Sequence, residues 1–215
     1  MQNWQIVYKN KKQLNKYPFS EVVSFCMRNF STQSNKNKVA LDVGSGSGVH
    51  SHFLAELGFD VIGIDGSEEA VKNAKVLFPG KNISYNCCSF DDFDGFGERY
   101  NFVLDRLSTT HSSLDTTTDF YQNLKKHLVS GAKVFWQGFA WCNSARELGM
   151  RRSNGSYDSF SSGLLKEIAP AVFYRQSDID QIFAGYSIDN IRLSSDLNLG
   201  TGYNHSIWTL EARYA

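Results

Sequence analysis

The stretch from Val39 to Asp65 constrains this chain more than any other. It reads Val39-Ala-Leu-Asp-Val-Gly-Ser-Gly-Ser-Gly48, then a segment with Val49, Phe53, Leu54 and Leu57 at helical spacing, then Phe59-Asp-Val-Ile-Gly-Ile-Asp65. The pattern predicts strand, glycine loop, helix and strand, with Gly58 ending the helix in the left-handed region and an acid closing the second strand. A dinucleotide loop needs G-x-G-x-x-G so that a pyrophosphate can meet the helix N-terminus. Counted from Gly44 the third glycine falls on Val49, and counted from Gly46 it falls on Ser51, so that pattern fails in both registers. A phosphate-binding P-loop fails as well, because no Lys-Ser or Lys-Thr follows the glycines. Asp42, just ahead of the loop, would repel phosphates. The arrangement suits a cofactor with a positive group and no pyrophosphate.

The rest of the chain extends this unit. Glu21–Phe30 has apolar positions fitting a helix packed on a sheet, and a polar loop follows over 31–38. Ser67 caps a helix with Glu68 and Glu69 in its first turn, which Pro79-Gly80 ends. Ile83–Cys87 and Tyr100–Asp105 read as the third and fourth strands. A helix over Asp119–Val129, stopped by Gly131, leads to a fifth strand over Ala132–Phe139. Residues 140–176 show no sustained period, which marks an irregular substrate-side segment or lid. Ser177-Asp-Ile-Asp180 resembles a capping box opening a short helix, and Ser187–Leu193 and Ser206–Ala212 close the chain as two strands.

Alternating strands and helices predict an α/β fold: a doubly wound, Rossmann-like sheet of about seven strands, mostly parallel with an antiparallel C-terminal strand. The expected organisation is one domain over 1–215. It comprises an aromatic N-terminal arm and helix (1–38), a cofactor-binding core (39–139), the irregular segment (140–176), and a C-terminal helix and strand pair (177–215). Trp4, Tyr8, Tyr17 and Phe19 in the arm either close over a site or cover a face of the sheet. Ligands in such sheets bind at the carboxyl ends of the strands, where strand order reverses.

Lys+Arg and Asp+Glu both number 22, so no global field draws in nucleic acid or an anionic membrane. Cys26, Cys87, Cys88 and Cys142 have no zinc or C-x-x-C spacing, and no metal site is expected. With no signal peptide and no apolar run near ~20 residues, the expected location is the cytoplasm.

Leu41-Asp-Val-Gly-Ser-Gly-Ser-Gly48, with Asp65 seventeen residues beyond, resembles the first motif and second-strand acid of the class I S-adenosylmethionine-dependent methyltransferases. The resemblance covers roughly residues 39–213. It implies that the chain uses S-adenosyl-L-methionine and releases S-adenosyl-L-homocysteine. It further implies that Gly44 and Gly46 let the backbone approach the methionine part, that Gly48 belongs to the same cofactor-binding loop, that Asp42 orients the loop and the amino end, and that Asp65 takes both ribose hydroxyls. Gly66 and Ser67 would lie along the adenine, and Asp105 near the reacting methyl. Where the family often has an acid for the adenine amino group, this chain has Ser89-Phe90, with Asp91 and Asp92 just beyond.

After the fourth strand stands Asp105-Arg-Leu-Ser-Thr-Thr-His111 rather than the Asn/Asp-Pro-Pro-Tyr/Phe of enzymes that methylate planar amines. This is similar to a bacterial subgroup linked to polysaccharide and other small-molecule pathways. The expected activity is methyl transfer by in-line displacement to a small-molecule acceptor, O-directed and sugar-linked. The alternatives are a protein or RNA methyltransferase, or a cofactor-binding module without catalysis. His111 is the candidate general base or else a hydrogen-bonding residue. Arg106 either fixes an acceptor group or pairs with a nearby acid. Arg146, Arg151 and Arg152 are candidates for lid contacts, and Tyr17, Trp141, Tyr157 and Tyr174 for the acceptor pocket.

Overall fold

The computed structural model describes residues 2–30, 35–163, 165–168 and 170–215. Part of the polar loop expected over 31–38 lies outside the described residues, at 31–34. Two helices open the chain, α1 (Gln2–Lys9) and α2 (Ser20–Asn29). The α/β core follows as β1 (Val39–Val43), α3 (Val49–Glu56), β2 (Asp60–Asp65), α4 (Glu68–Leu77), β3 (Ile83–Cys87), β4 (Tyr100–Arg106), α5 (Leu114–Leu124) and β5 (Leu128–Ala140). Then come β6 (Met150–Arg151), β7 (Tyr157–Asp158), α6 (Leu165–Ile168), β8 (Phe173–Tyr174), α7 (Gln176–Ile182), β9 (Tyr186–Asn198) and β10 (Tyr203–Tyr214).

The main sheet runs β3-β2-β1-β4-β5-β10-β9, with β8 paired to the end of β5. Strands β1 to β5 and β8 pair in parallel, while β10 is antiparallel to both β5 and β9. Strand order reverses at β1, which lies between β2 and β4. The doubly wound fold is as expected, and the small addition is β8.

Alternation along the strands sorts side chains between two cores. Ala40, Phe102, Leu104 and Phe135 face α2 and α3, where they meet Val22, Phe25 and Leu54. Leu41, Val103, Val134 and Trp136 face the other way, toward Phe120 and Tyr121 of α5 and Ile179 of α7. A third cluster lies over the carboxyl ends of the strands and joins Val7 of α1 to Phe139, Tyr157, Ile168 and Phe173. The described part of residues 140–176, expected to be irregular, contains short elements, of which β8 pairs with the end of β5. The β6–β7 hairpin is closed by Met150↔Asp158 and Arg151↔Tyr157.

Three boundaries differ from expectation. The fifth helix starts earlier because Ser113 Oγ accepts from the Thr116 N–H at 3.0 Å, and it ends at Leu124 instead of running to Val129. Gly131 does not stop that helix. It sits inside β5 at φ 78°, beside a register shift opposite Tyr100 and Phe102. Asp178, not Asp180, closes the cap of α7, accepting from the Arg175 N–H at 2.7 Å.

Phe102 is fully buried, with ring centroids of Phe30 at 4.9 Å, Phe25 at 5.5 Å and Phe59 at 6.1 Å. Phe102→Ala should cost about 3–5 kcal/mol in chemical denaturation, because four elements cannot collapse together onto the void. A loss below about 1 kcal/mol would contradict this packing.

Candidate active site

A cavity of about 580 Å³ opens at the carboxyl ends of β1, β2, β4 and β5, under α1. That size suits a cofactor with an acceptor beside it. Its floor is the loop after β1. Gly44 and Gly46 have φ of 65° and 55°, a region costly for residues with a Cβ. A Cβ on Gly44 would also collide with Ser108, and one on Gly46 would lie 2.5 Å from the Tyr8 hydroxyl. The loop is held to β2 by the Ser45 N–H donating to the Ile64 carbonyl at 2.8 Å.

Asp65, at the end of β2, joins two loops. Its Oδ2 accepts from the Gly46 N–H at 3.0 Å and its Oδ1 from the Ser67 N–H at 2.8 Å. Each oxygen keeps lone pairs for the cavity it lines. Burial pushes its pKa up to about 6, against the pull of the two N–H donors. Ser67 caps α4 by accepting from the Ala70 N–H, and its hydroxyl donates to Gln5 Oε1 at 2.6 Å. Gln5 also accepts from the Glu69 N–H at 2.9 Å, which pins α1 over this end of the cavity.

Of the residues singled out in the sequence, Gly44, Gly46, Asp65, Gly66, Ser67, Ser89, Phe90, Arg106 and His111 line the cavity. Asp42, Gly48 and Asp105 are not among the lining residues and stand behind its wall. Asp42 is 2% exposed and accepts from Ser51 Oγ at 2.6 Å. A side chain on Gly48 would strike Tyr85. Asp105 is fully buried and anchors the loop after β4. It accepts from the Ser108 N–H at 2.9 Å, Thr109 Oγ1 at 2.6 Å and the Tyr121 hydroxyl at 2.9 Å. On the other side of the cavity, Ser89 Oγ donates to Asp92 at 2.6 Å, and the Phe90 ring packs edge-on against Phe120.

Beyond Gly44 the lining becomes aromatic and basic. The Arg106 guanidinium lies 3.3 Å from the Phe19 ring centroid. His111 is held through Nδ1, whose N–H donates to the Pro170 carbonyl at 3.0 Å, and rings of Trp4 and Phe139 meet it edge-on. Burial pulls its pKa down to about 4 although the carbonyls of Pro170 and Ile168 oppose this, so the ring is neutral at pH 7. The neutral Nδ1–H tautomer leaves a lone pair on Nε2. His50 Nε2 accepts from the Phe19 N–H at 3.4 Å, and burial with the nearby Arg106 charge pulls its pKa down to about 3. His205 is lowered by the same two causes.

Of the aromatic residues of the arm, Trp4, Tyr8 and Phe19 line the cavity, whereas Tyr17 is 82% exposed. Trp141, Tyr157 and Tyr174 do not line it. Arg146 and Arg175 stack on Trp141 at 4.4 and 3.7 Å, and Arg152 pairs with Asp158, so these arginines are engaged away from the cavity. Gln5, His50 and His205 were not singled out as site residues. Only tertiary packing brings them there: His205 comes from the last strand and Gln5 from the first helix.

Residues 40–131 match the model of a methyltransferase domain. An uncharacterized methyltransferase of Schizosaccharomyces pombe is 30% identical over 109 residues, which are 49% of this chain and 74% of that protein. The chain belongs to the S-adenosylmethionine-dependent methyltransferases. This methyltransferase is also 30% identical over 101 residues to the ubiquinone biosynthesis O-methyltransferase of Sinorhizobium fredii, covering 46% of this chain and 40% of that one. The structure of an S-adenosylmethionine-dependent methyltransferase from Methanosarcina mazei superposes with a TM-score of 0.69 at 16% identity, over 92% of this chain and 98% of that one, and shares its fold. The site fits such a cofactor: a glycine cradle that a Cβ would fill, and a carboxylate positioned to accept from a vicinal diol. The lining carboxylates of Asp65 and Asp91, with no lysine among the described lining residues, suit a nucleoside without phosphates.

Asp42 gives the site a testable pH dependence. Burial pushes its pKa up to about 7, with the charges of Asp65 and Asp105 adding to the effect and the Ser51 bonds opposing it. A folded-state pKa above the unfolded one adds stability fully present below the usual carboxylate range and lost as pH rises through about 7. Asp42→Asn should therefore raise the melting temperature of the ligand-free protein by a few degrees more at pH 8 than at pH 5. An equal change at both pH values would contradict the buried charge.

Proposed function

We propose that the cavity binds S-adenosylmethionine with its ribose on Asp65, its adenine along Gly66, Ser67, Ser89 and Phe90, and its methionine end on Gly44 and Gly46. The methyl then goes to an oxygen of a small-molecule acceptor on the Arg106–His111 side. The observation that carries this reading is the Asp65 carboxylate, fixed by two backbone N–H groups at the crevice where strand order reverses. When bound, the cofactor supplies an activated methyl on a sulfonium. The chain's part is to hold acceptor and donor in line and to exclude water, the role of Trp4, Tyr8 and Phe19.

His111 is the proposed base. Its Nδ1–H bond to Pro170 fixes the ring and leaves Nε2 to receive the proton of an acceptor hydroxyl. Because its pKa is depressed, the ring stays neutral across the physiological range. Asp42, Gly48 and Asp105 act through the wall, by shaping the loops they hold. In this reading α1 and Phe19, with Asn154, Ile168 and Pro170 from the segment after β5, cover the substrate side of one methyltransferase unit. The similarity to an O-methyltransferase of Sinorhizobium fredii supports an oxygen acceptor. The resemblance of Asp105–His111 to the polysaccharide-linked subgroup supports a sugar-linked one.

Calorimetry with S-adenosylhomocysteine tests the first half of the proposal. Asp65→Ala should weaken binding about 10- to 100-fold, as expected for losing charge-assisted bonds of about 1.5–3 kcal/mol, with the far-ultraviolet circular dichroism unchanged. Unchanged affinity would reject the ribose role. In a screen of hydroxylated small molecules for S-adenosylhomocysteine release, His111→Gln should lower turnover of any hit by roughly 100-fold at unaltered cofactor affinity. Full turnover in that variant would remove His111 as the base.

A further inference from the structure

Arg106 ends β4 with its side chain inside the protein, and no ion pair among the described residues includes it; the Glu21 charge acts on it from beyond ion-pair distance. The Arg106 Nε is buried without a hydrogen-bond partner. The group stays charged at pH 7: burial lowers its pKa to about 10, and the Glu21 charge opposes that fall. Phe19 covers one face of the guanidinium. Such stacking offsets part of the loss of water, yet buried charges in folded proteins are ordinarily met by an opposite charge. Its cross-strand partner Gln137 is 1% exposed, and its Oε1 is likewise buried without a partner. Its Nε2 donates to Thr209 at 3.0 Å. An unmet polar row therefore runs under the wall, and Arg106 is its member that opens into the cavity.

The charge pattern of the cavity says what Arg106 is for. Asp65 and Asp91 line the nucleoside side, whereas Arg106 is the one Lys or Arg among the described lining residues and stands beyond Gly44. His50 and His205 feel its positive charge and remain neutral. A single cation beside neutral imidazoles and the rings of Phe19 and Phe139 matches a monoanion. A phosphate dianion would call for more positive charge. A planar guanidinium also pairs best with a planar carboxylate, through two parallel N–H···O bonds.

We propose that Arg106 is the anion-binding residue of the acceptor subsite, and that the acceptor of this methyltransferase carries a carboxylate. Arg106 holds that group, and the methylated oxygen lies elsewhere on the same molecule, on the His111 side. This rests on the cofactor placement proposed above.

Calorimetry separates the two. Wild-type protein is first titrated with S-adenosylhomocysteine, and the complex is then titrated with benzoate, 4-hydroxybenzoate, cinnamate and hexanoate and with their neutral amides. At least one carboxylate should bind ten-fold or more tightly than its amide, and Arg106→Gln should erase that preference while changing S-adenosylhomocysteine affinity less than threefold. Arg106→Lys, which keeps the charge without the fork, should retain part of the preference. Failure of S-adenosylhomocysteine to bind wild type would remove the cofactor placement and the proposal with it. Binding of the cofactor product with no carboxylate preference across the panel would overturn the proposal alone. A ten-fold loss of S-adenosylhomocysteine affinity in Arg106→Gln, with 5′-methylthioadenosine affinity unchanged, would also overturn it by assigning Arg106 to the cofactor's own carboxylate. The wild-type comparison of acid with amide needs no variant, so the test survives a variant that fails to fold.

Discussion

The bridge made by Asp65 organises the site. One carboxylate accepts from Gly46 in the loop after β1 and from Ser67 at the start of α4. Two loops leaving neighbouring parallel strands would otherwise be free to part. Tying both to one rigid strand end fixes the glycine floor of the cavity and the cap of α4 together. Gln5 then reads the result, because its amide oxygen accepts from the capping Ser67 and from the Glu69 N–H. In this way a bond at the end of β2 also fixes where α1, with Trp4 and Tyr8, closes over the cavity.

Asp105 does for the loop after β4 what Asp65 does for the loop after β1. Its carboxylate gathers donors from Ser108, Thr109 and Tyr121, and the loop is stitched to the residue before β8, Val172, whose N–H donates to the Thr110 carbonyl at 2.7 Å. Leu107 takes a left-handed φ of 58° in that loop, a strain the Asp105 network holds in place. The two anchored loops differ in what they leave open. Around Asp65 the cavity is lined by acids and backbone, and around Arg106 by that cation, outside every ion pair of the described residues, and aromatic rings. The cavity is thus polarised, with the anionic end suited to a nucleoside diol and the cationic end suited to a different molecule.

Much of this was legible in the sequence because local chemistry decides it. Gly44 and Gly46 are needed wherever a backbone turns left-handed against close neighbours, and Asp65 sits one strand-length beyond the helix that follows. Ser67 caps its helix as its type and position predict. What was illegible depends on distant partners. The threonines at 116–118 hide the period of α5, so only the Ser113 cap fixes its start. Strand β8 is two residues long and exists because β5 offers an open edge at Phe139 and Ala140. The aromatic residues at 141, 157 and 174 carry no local mark separating core from pocket, and packing sent them away from the cavity. His50 and His205 reach it from a helix start and a final strand, a meeting that spacing cannot show.

The role of Asp65 is tested most directly by a crystal structure of the protein with S-adenosylhomocysteine. With Asp65 as the ribose anchor, both ribose hydroxyls should lie within hydrogen-bond distance of its carboxylate, the sulfur beyond Gly44 facing His111, and no contact should form between the cofactor product and Arg106. A nucleoside bound away from Asp65, or an amino-acid carboxylate paired with Arg106, would contradict this placement.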